Sequence, residues 1–388
     1  MGNPKEKTAI IGLGATEFSQ NCGRSELRMA LEAILDAVKD AGIKVSDIDG
    51  MVNYSMDTAE QIEVVRQLGI PNLSFFSKAP YGGGGSCATI AHAVAAIESG
   101  MANTVVCYRS IRDASGPVTY GDFEPTRVSQ DVYMGMNHPY GLLTPVSWVA
   151  MFAQRYNHKY GIKDGQLAHV ALVNRENANR NPKAIFHSRT LSLDEYMNSP
   201  INVEPLRRHD CCLSTDGAVA IIVTRADLAK DLRHKPAYIS GAIQGMSTNG
   251  EVMTSYARED ITVLHEVEAY GKKLFEMAGI TPKEIDVAQF YDAFSPLVPM
   301  QLEALGFVGK GEGVDYIEGG HRIRPDGELP INTSGGLMSE GYIHGMNLIA
   351  EGVRQVRGTS TTQIDDIEYS LVTGGLGVPS SGLILRRR

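Results

Sequence analysis

Cysteine is scarce: 388 residues hold only 5, at Cys22, Cys87, Cys107, Cys211 and Cys212. They are too few and too scattered for a disulfide framework, and no pair has the CxxC spacing of a zinc site, so no metal site is readable in the chain. The adjacent Cys211 and Cys212 read as buried small apolar residues. Basic charge is also short, with 36 Lys and Arg against 45 Asp and Glu and a formal charge of −9. A nucleic acid as main partner is excluded on that ground, because phosphate neutralisation needs a basic face. No apolar run reaches the length of a membrane span. The start, MGNPKEKTAIIGLG, runs directly into a strand-like segment with no apolar h-region or small-residue cleavage site, which leads us to expect a cytoplasmic protein.

The composition is otherwise that of an ordinary globular protein, 43% apolar and 21% charged, and the length suggests two packed halves. TAIIGLG (Thr8 to Gly14) reads as a buried strand ending in a glycine turn. LRMALEAILDAVKDAG (Leu27 to Gly42) has apolar residues at helical spacing, with Gly42 as its stop, and KVSDIDGMVNYS adds a turn and a second strand. This alternation predicts an α/β architecture with a sheet covered by helices.

Internal similarity sharpens that expectation. DAGIKVSDIDGMV (Asp40 to Val52) recurs as MAGITPKEIDVAQ (Met277 to Gln289), matching Ala41 with Ala278, Gly42 with Gly279, Ile48 with Ile285 and Asp49 with Asp286. A second pairing sets IAHAVAAIESG (Ile90 to Gly100) against YIHGMNLIAEG (Tyr342 to Gly352), and so His92 with His344 and Gly100 with Gly352. Two matches in the same order imply two copies of one α/β unit. The stretch 121–205, rich in Asn, Tyr, His and Arg, reads as an insertion. The expected domains are 1–120 completed by 206–232, an inserted loop domain over 121–205, and a second half over 233–388.

The duplicated unit, STDGAVAIIV (Ser214 to Val223), NTSGGLMSEGYIHG (Asn332 to Gly345) and the late GGLG (Gly374 to Gly377) together resemble the thiolase superfamily. The insertion passage RYNHKYGIKDGQLAHVALVNRENANRNPKA (Arg155 to Ala184) is similar to its lipid-transfer-protein branch. The resemblance covers essentially the full chain. It implies a duplicated five-layered αβαβα fold, a tight homodimer and coenzyme A thioesters as ligands, with coenzyme A entering as part of the substrate and no covalently bound cofactor.

The chemistry of the family does not carry over with the fold. Counting back from Gly100, which ends the helix, by the family's interval places its nucleophile at Gly83, inside YGGGGSCATIAHA (Tyr81 to Ala93). Cys87 falls one helical turn further in and reads as a structural residue. Tyr291, in YDAFS, stands where the branch has a histidine. The family's GHP histidine aligns with Tyr342 in EGYIHG, and LVTGGLG lacks the second acid/base cysteine. With neither nucleophile nor base, acyl transfer through an acyl-enzyme is hard to sustain.

Tyrosine at both histidine positions suggests conversion of the site to retro-aldol cleavage of a β-hydroxyacyl-CoA without a covalent intermediate. One group removes the β-hydroxyl proton, donors hold the thioester enolate, and a proton returns to the α-carbon. We expect Tyr342 as base and Tyr291 as donor, two roles open to exchange, with His344, Glu340 and Asp292 as sequence neighbours able to assist. Gly83 and Gly84 are candidate backbone donors, Gly83 also leaving room for a branched substrate; Asp292, Gly375 and Gly377 are candidate substrate or oxyanion contacts. The combination resembles thiolase-like aldolases that shorten steroid side chains, releasing propionyl-CoA and a 17-ketosteroid from a 17-hydroxy-steroid thioester. That resemblance implies a small partner protein of zinc-ribbon and OB-type fold, to which any zinc would belong. The competing readings are a Cys87-dependent acyltransferase and a non-catalytic subunit that binds lipid thioesters.

Other features receive plainer readings. Gly12-x-Gly14 lacks the third glycine of a dinucleotide site. GDFEPTRVSQD (Gly121 to Asp131) reads as an oligomer or partner contact, His138 as a loop residue able to line the pocket, Asp216 as the holder of a turn, and Arg386 to Arg388 as a solvated basic tail or a weak phosphate contact.

Overall fold

The computed structural model describes residues 6–80, 82–116, 137–229, 233–248, 256–375 and 380–388. The chain begins with β1 (Thr8–Ala15), α1 (Glu26–Ala41), β2 (Gly50–Tyr54), α2 (Gln61–Leu68), β3 (Phe75–Ala79), α3 (Ser86–Glu98) and β4 (Thr104–Arg112). Three helices follow, α4 (Pro145–Tyr160), α5 (Ala168–Arg180) and α6 (Leu193–Met197), then the small hairpin β5 (Ile201–Val203) and β6 (Leu206–Arg207), before β7 (Asp216–Arg225) returns to the sheet. The remainder is β8 (Ala237–Gly245), α7 (His265–Ala278), β9 (Val287–Gln289), α8 (Leu297–Ala304), α9 (Gly313–Ile317), α10 (Gly336–Ser339), α11 (Met346–Arg357), β10 (Tyr369–Gly374) and β11 (Ser380–Arg386).

Helix α1 forms where the sequence places it. Ser25 caps its start by accepting from the Arg28 N–H, Glu26 and Lys39 sit at the ends that suit the helix dipole, and Gly42 closes it in the left-handed conformation at φ 71°. Its buried stripe, Met29, Ala30, Ala33, Ile34, Ala37, Val38 and Ala41, lies on the sheet. A β-carbon on Gly12 or Gly14 would come within 2.5 Å and 2.0 Å of α1 carbonyl oxygens. These glycines therefore serve close helix–strand packing and no dinucleotide.

Among the described residues, nine strands form one sheet in the order β3-β2-β4-β7-β1-β8-β11-β10-β9. The two copies meet where β1 pairs with β8, Ala9 opposite Tyr238 and Ile10 opposite Ala237. Parallel β2–β4 and antiparallel β4–β7 in the first copy are matched by parallel β9–β10 and antiparallel β10–β11 in the second. The partner expected for β3 shrinks to a single parallel bridge between Ile331 and Ala288.

Alternation along the strands sets up the layers. On β7, Ala218, Ala220 and Ile222 join the cluster around α1, whereas Val219, Ile221 and Val223 join the cluster containing α3 and α11. On β11, a β-carbon at Gly382 would meet Tyr270 and Leu274 of α7, while the adjacent Ser381 Oγ donates to the Gly84 carbonyl at 2.7 Å on the side of α3. Helices α3 and α11 thus lie between the two halves of the sheet, with α1 and α7 outside them, which is the five-layered arrangement.

The first repeat holds in detail. Gly42 and Gly279 both end helices in the left-handed conformation, at φ 71° and 72°, and each is followed by a 3-10 turn, Val45–Asp47 or Pro282–Glu284. Asp49 accepts from the Asn103 and Thr104 N–H groups, and Asp286 from those of Glu368 and Tyr369. The second repeat does not hold in the register of the sequence. Gly100, at φ 76°, follows α3, but Gly352 is buried inside α11, and it is Gly358, also at φ 76°, that closes that helix. Gly352 is a glycine because a β-carbon there would lie 2.7 Å from the Val372 side chain on β10. His92, within α3 and bonded to Ser77 Oγ at 2.8 Å, is accordingly no counterpart of His344.

Three minor expectations need revision or fall away. Arg386 and Arg388 are not a free basic tail: Arg386 pairs with Glu368 at 2.6 Å and Glu6 at 3.3 Å, and Arg388 pairs with Glu6. Cys211 and Cys212 are half-buried, not enclosed. The stretch 121–131 and the His138 side chain lie outside the described residues. Asp216 does hold a turn, accepting from the Ala114 and Ser115 N–H groups at 3.1 and 3.0 Å. No helix among the described residues is long and apolar enough to cross a membrane.

Candidate active site

Four segments meet at the inner end of α3. The glycine run forms a 3-10 turn over Gly83–Gly85 that leads into α3, Tyr291 follows β9, Tyr342 and His344 precede α11, and Gly375 follows β10. Each is pinned through its backbone. The Tyr291 N–H donates to Thr373 Oγ1 at 2.8 Å, and Gln301 Nε2 donates to the Tyr291 carbonyl at 3.0 Å. The Tyr342 N–H donates to Thr215 Oγ1 at 2.9 Å. His344 and Gly345, both left-handed at φ 48° and 87°, turn the chain into α11. A side chain at Gly345 would press within 3.0 Å of Ser86 Oγ.

The two phenol oxygens, Tyr291 Oη and Tyr342 Oη, are 3.0 Å apart and hydrogen-bonded. Their rings meet edge-to-face, with centroids 6.4 Å apart at 70°. Tyr291 is 4% exposed and Tyr342 is half-buried. Either oxygen of this pair can donate to the other, so a proton can pass between the two phenols along the contact. Gly83 makes the arrangement possible: its β-carbon would lie 1.9 Å from Tyr291 Oη. The space expected to receive a branched substrate is therefore filled by the Tyr291 phenol.

Of the three groups expected near Tyr342, only His344 is brought beside it, the rings meeting edge-on with centroids 5.0 Å apart. Asp292 is fully buried elsewhere. Its Oδ1 accepts from the Leu337 N–H at 2.9 Å, and its Oδ2 from Asn174 Nδ2 at 2.7 Å and the Met338 N–H at 3.3 Å. Burial pushes its pKa up to about 7, and its place is to tie α5 to α10, so we withdraw it as a substrate contact. Glu340 is equally committed, accepting from Ser334 Oγ at 2.7 Å and Asn347 Nδ2 at 3.0 Å.

The two glycine turns touch: a β-carbon on Gly375, at φ 54°, would sit 2.0 Å from the Gly84 nitrogen. Gly377 lies outside the described residues. Cys87 stands in the first turn of α3, not a full turn inside it, because the glycine run winds as a 3-10 turn before the helix begins at Ser86. It is nevertheless no exposed thiol. Its Sγ is buried against the Val372 carbonyl at 3.6 Å, and burial pushes the thiol up to about 12.

Behind His344 lies a charged pair that sequence reading missed. Arg109 Nη1 donates to Asp57 Oδ1 at 2.5 Å, and both side chains are at most 4% exposed. Asp57 also accepts from the Tyr54 N–H at 2.8 Å and the Ser110 N–H at 3.2 Å. Arg109 Nε donates to His344 Nδ1 at 3.1 Å, and Tyr54 Oη donates to the His344 carbonyl at 3.1 Å. Burial first, and then the Arg109 charge, hold the His344 pKa well below the usual histidine range, so the ring is neutral. The available signal was an arginine directly after the apolar run VVCY within the strand TVVCYRSIR.

Comparisons with known proteins give the family and the relatives of this chain. Residues 8–227 match the model of the thiolase N-terminal domain and residues 247–387 that of the thiolase C-terminal domain-like family. The chain is 47% identical over 384 residues to the 17-hydroxy-3-oxo-4-pregnene-20-carboxyl-CoA lyase of Mycobacterium tuberculosis, covering 98% of this chain and 99% of that one. It is 48% identical over 381 residues to the steroid side-chain-cleaving aldolase of Thermomonospora curvata, covering 97% of each. A solved structure of an Ltp2-ChsH2(DUF35) aldolase superposes with a TM-score of 0.94 at 46% identity, covering 98% of both chains. Human mitochondrial 3-ketoacyl-CoA thiolase shares the fold at a TM-score of 0.70 and 15% identity. The chain belongs to the thiolase superfamily, in the branch of the steroid side-chain-cleaving aldolases.

Proposed function

We propose that this protein is a carbon–carbon lyase that cleaves a β-hydroxyacyl-CoA thioester by a retro-aldol reaction. Its substrate is a 17-hydroxy-steroid side-chain thioester and its products are propionyl-CoA and a 17-ketosteroid, in keeping with the named activities of the relatives that match it end to end. The observation that carries the reading is the hydrogen-bonded phenol pair, Tyr291 and Tyr342, 3.0 Å apart.

With one proton shed from the pair, Tyr342 phenolate takes the β-hydroxyl proton. The Cα–Cβ bond then breaks, its electron pair moving to the α-carbon as a thioester enolate, and the former hydroxyl carbon becomes the ketone. Tyr291 gives its proton to the α-carbon. The proton gained by Tyr342 crosses the hydrogen bond to Tyr291, and the pair is restored. Gly83, Gly84 and Gly375 supply backbone donors toward the enolate oxygen, and Gly377 is kept as a candidate contact from its place in the sequence. No step uses Cys87.

The substrate brings the coenzyme A; no other cofactor enters this scheme. The relative solved as an Ltp2-ChsH2(DUF35) aldolase supports a partner of the DUF35 type, which we take to be a small zinc-ribbon and OB-fold protein joined to a homodimer of this chain in the cytoplasm. Within the chain we assign 121–205 as an inserted domain between the two thiolase-like halves.

The test is incubation with a 17-hydroxy-steroid side-chain CoA thioester, with and without the partner, followed by mass spectrometry. Propionyl-CoA and the 17-ketosteroid are expected. Stoichiometric acylation of Cys87 by a short acyl-CoA would instead establish an acyltransferase, and a bound but unchanged thioester a non-catalytic binding subunit.

A further inference from the structure

The structure assigns a role to the buried pair behind His344. We infer that Asp57 and Arg109 are positioning residues that fix His344 as a neutral imidazole with its proton on Nε2, and that this N–H donates to the thioester oxygen on which the enolate charge collects. The inference rests on the retro-aldolase reading above.

The tautomer follows from donor and acceptor arithmetic. A guanidinium has only N–H donors, so the contact from Arg109 Nε to His344 Nδ1 at 3.1 Å requires a lone pair on Nδ1. The single ring proton of the neutral form must then be on Nε2. Protonating Nδ1 as well would turn donor against donor and place two cations side by side. Asp57 in turn fixes Arg109, through the 2.5 Å contact and the two backbone N–H groups it also accepts. The groups facing His344 are Tyr54, stacked on its ring at 6.1 Å, Arg109 with Asp57 behind it, and Tyr342 at its edge. Among these Arg109 alone is a cation.

The far side of the ring points to a ligand. His344 is 1% exposed, and its Nε2 is buried with no hydrogen-bond partner among the described residues. Such orphan donors are rare in native proteins and call for a reason. Nε2 faces the glycine turn, where a β-carbon on Gly82 would lie 3.4 Å from it, and Tyr342 lies alongside. An oxygen held between the glycine turn and the phenol pair meets this donor. A neutral donor fits such a position, because it stabilises the enolate oxygen without surrendering a proton to it. The strained left-handed backbone of His344, φ 48°, is what directs the ring there.

The experiment is nitrogen-15 NMR of the histidine rings in the full-length protein, with His344 assigned from a His344→Gln variant. The expected result is a protonated Nε2, an unprotonated Nδ1 and no titration between about pH 5 and pH 8. A protonated Nδ1, or an ordinary titration, overturns the inference. In kinetics, His344→Leu should lower kcat about 100-fold, as loss of one oxyanion donor does. His344→Gln, which keeps an N–H, should recover about ten-fold of that, and equal losses in the two variants tell against a donor. Arg109→Gln should mix the tautomers and shift the acid side of the kcat profile to higher pH than in the parent, since one of the two causes that hold the His344 pKa down is removed; a folded variant with an unaltered profile also overturns it. The NMR needs no substrate and no Arg109 variant, so the lock stands or falls on it even where the retro-aldolase reading fails or that variant does not fold.

Discussion

A β-carbon on Gly83 would lie 1.9 Å from the Tyr291 hydroxyl oxygen and 2.1 Å from the ring carbon that bears it. Glycine at one position and tyrosine at the other are therefore a single choice. Gly83→Ala should push the Tyr291 ring aside and break its bond to Tyr342. We expect a loss of activity of at least about 100-fold, with an overpacking cost of about 1–3 kcal/mol in stability. Steady-state rates together with urea unfolding separate the two effects, and full activity in the alanine variant would contradict the placement of the phenol.

Tyr291→Phe and Tyr342→Phe each remove one oxygen from the pair and leave the rings in place. Cleavage should fall by about 10² to 10⁴ in either variant. Because the two oxygens act as one unit, the double variant should be scarcely slower than the worse single one. Additive losses, measured as product formed in single turnovers, would mean that the phenols work independently.

Cys87→Ala should keep cleavage activity within a few fold of the parent. The expected cost is in stability, about 1 kcal/mol for a small buried side chain. With its thiol pushed up to about 12 by burial, Cys87 should also resist alkylation at about pH 8 until the protein unfolds. Peptide mapping after iodoacetamide treatment reads this directly, and rapid native-state labelling would restore the nucleophile reading.

His344 has a consequence for acid stability. In the folded chain its pKa is held well below the usual value by burial and Arg109, whereas the unfolded chain takes up a proton near about pH 6.5. The unfolded state then binds more protons, so stability is complete above that value and falls as the pH drops below it. Urea titrations from about pH 8 to pH 5 should show His344→Gln losing less than the parent, by up to about 1.4 kcal/mol per pH unit. Parallel curves for the two proteins would show that His344 does not titrate differently on folding.

Much of this fold was legible because it is written in local chemistry. The helix over 26–41 announces itself by spacing, cap and closing glycine, and the copy at Met277 to Gln289 keeps glycine and aspartate where φ and backbone N–H groups require them. The second copy was misaligned because a glycine in a sequence can end a helix, as Gly100 does, or admit a neighbouring strand, as Gly352 does. The tyrosines could be found by alignment to a motif, but the proximity of Tyr291 to Gly83 could not. Asp292 and Glu340 misled for a related reason: adjacency in sequence to a candidate catalytic side chain says nothing about which way a buried carboxylate faces. Asp57 follows the end of β2 and Arg109 lies within β4, and only the fold brings them together behind His344.

The touching turns of Gly84 and Gly375, and the fit of Tyr291 against Gly83, have an evolutionary reading. Both phenols come from the later copy of the duplicated unit, while the backbone that makes room for them, and the arginine behind His344, come from the earlier one. Neither copy could have acquired this chemistry alone. A recombinant that kept only the front of this chain would inherit a glycine with no phenol to fill it unless the other half also carried a tyrosine there, and the reverse chimera would press the Tyr291 phenol against any side chain standing in the place of Gly83. The join between the copies is thus a barrier to exchange, because the fit of Tyr291 to Gly83 draws on both sides of it.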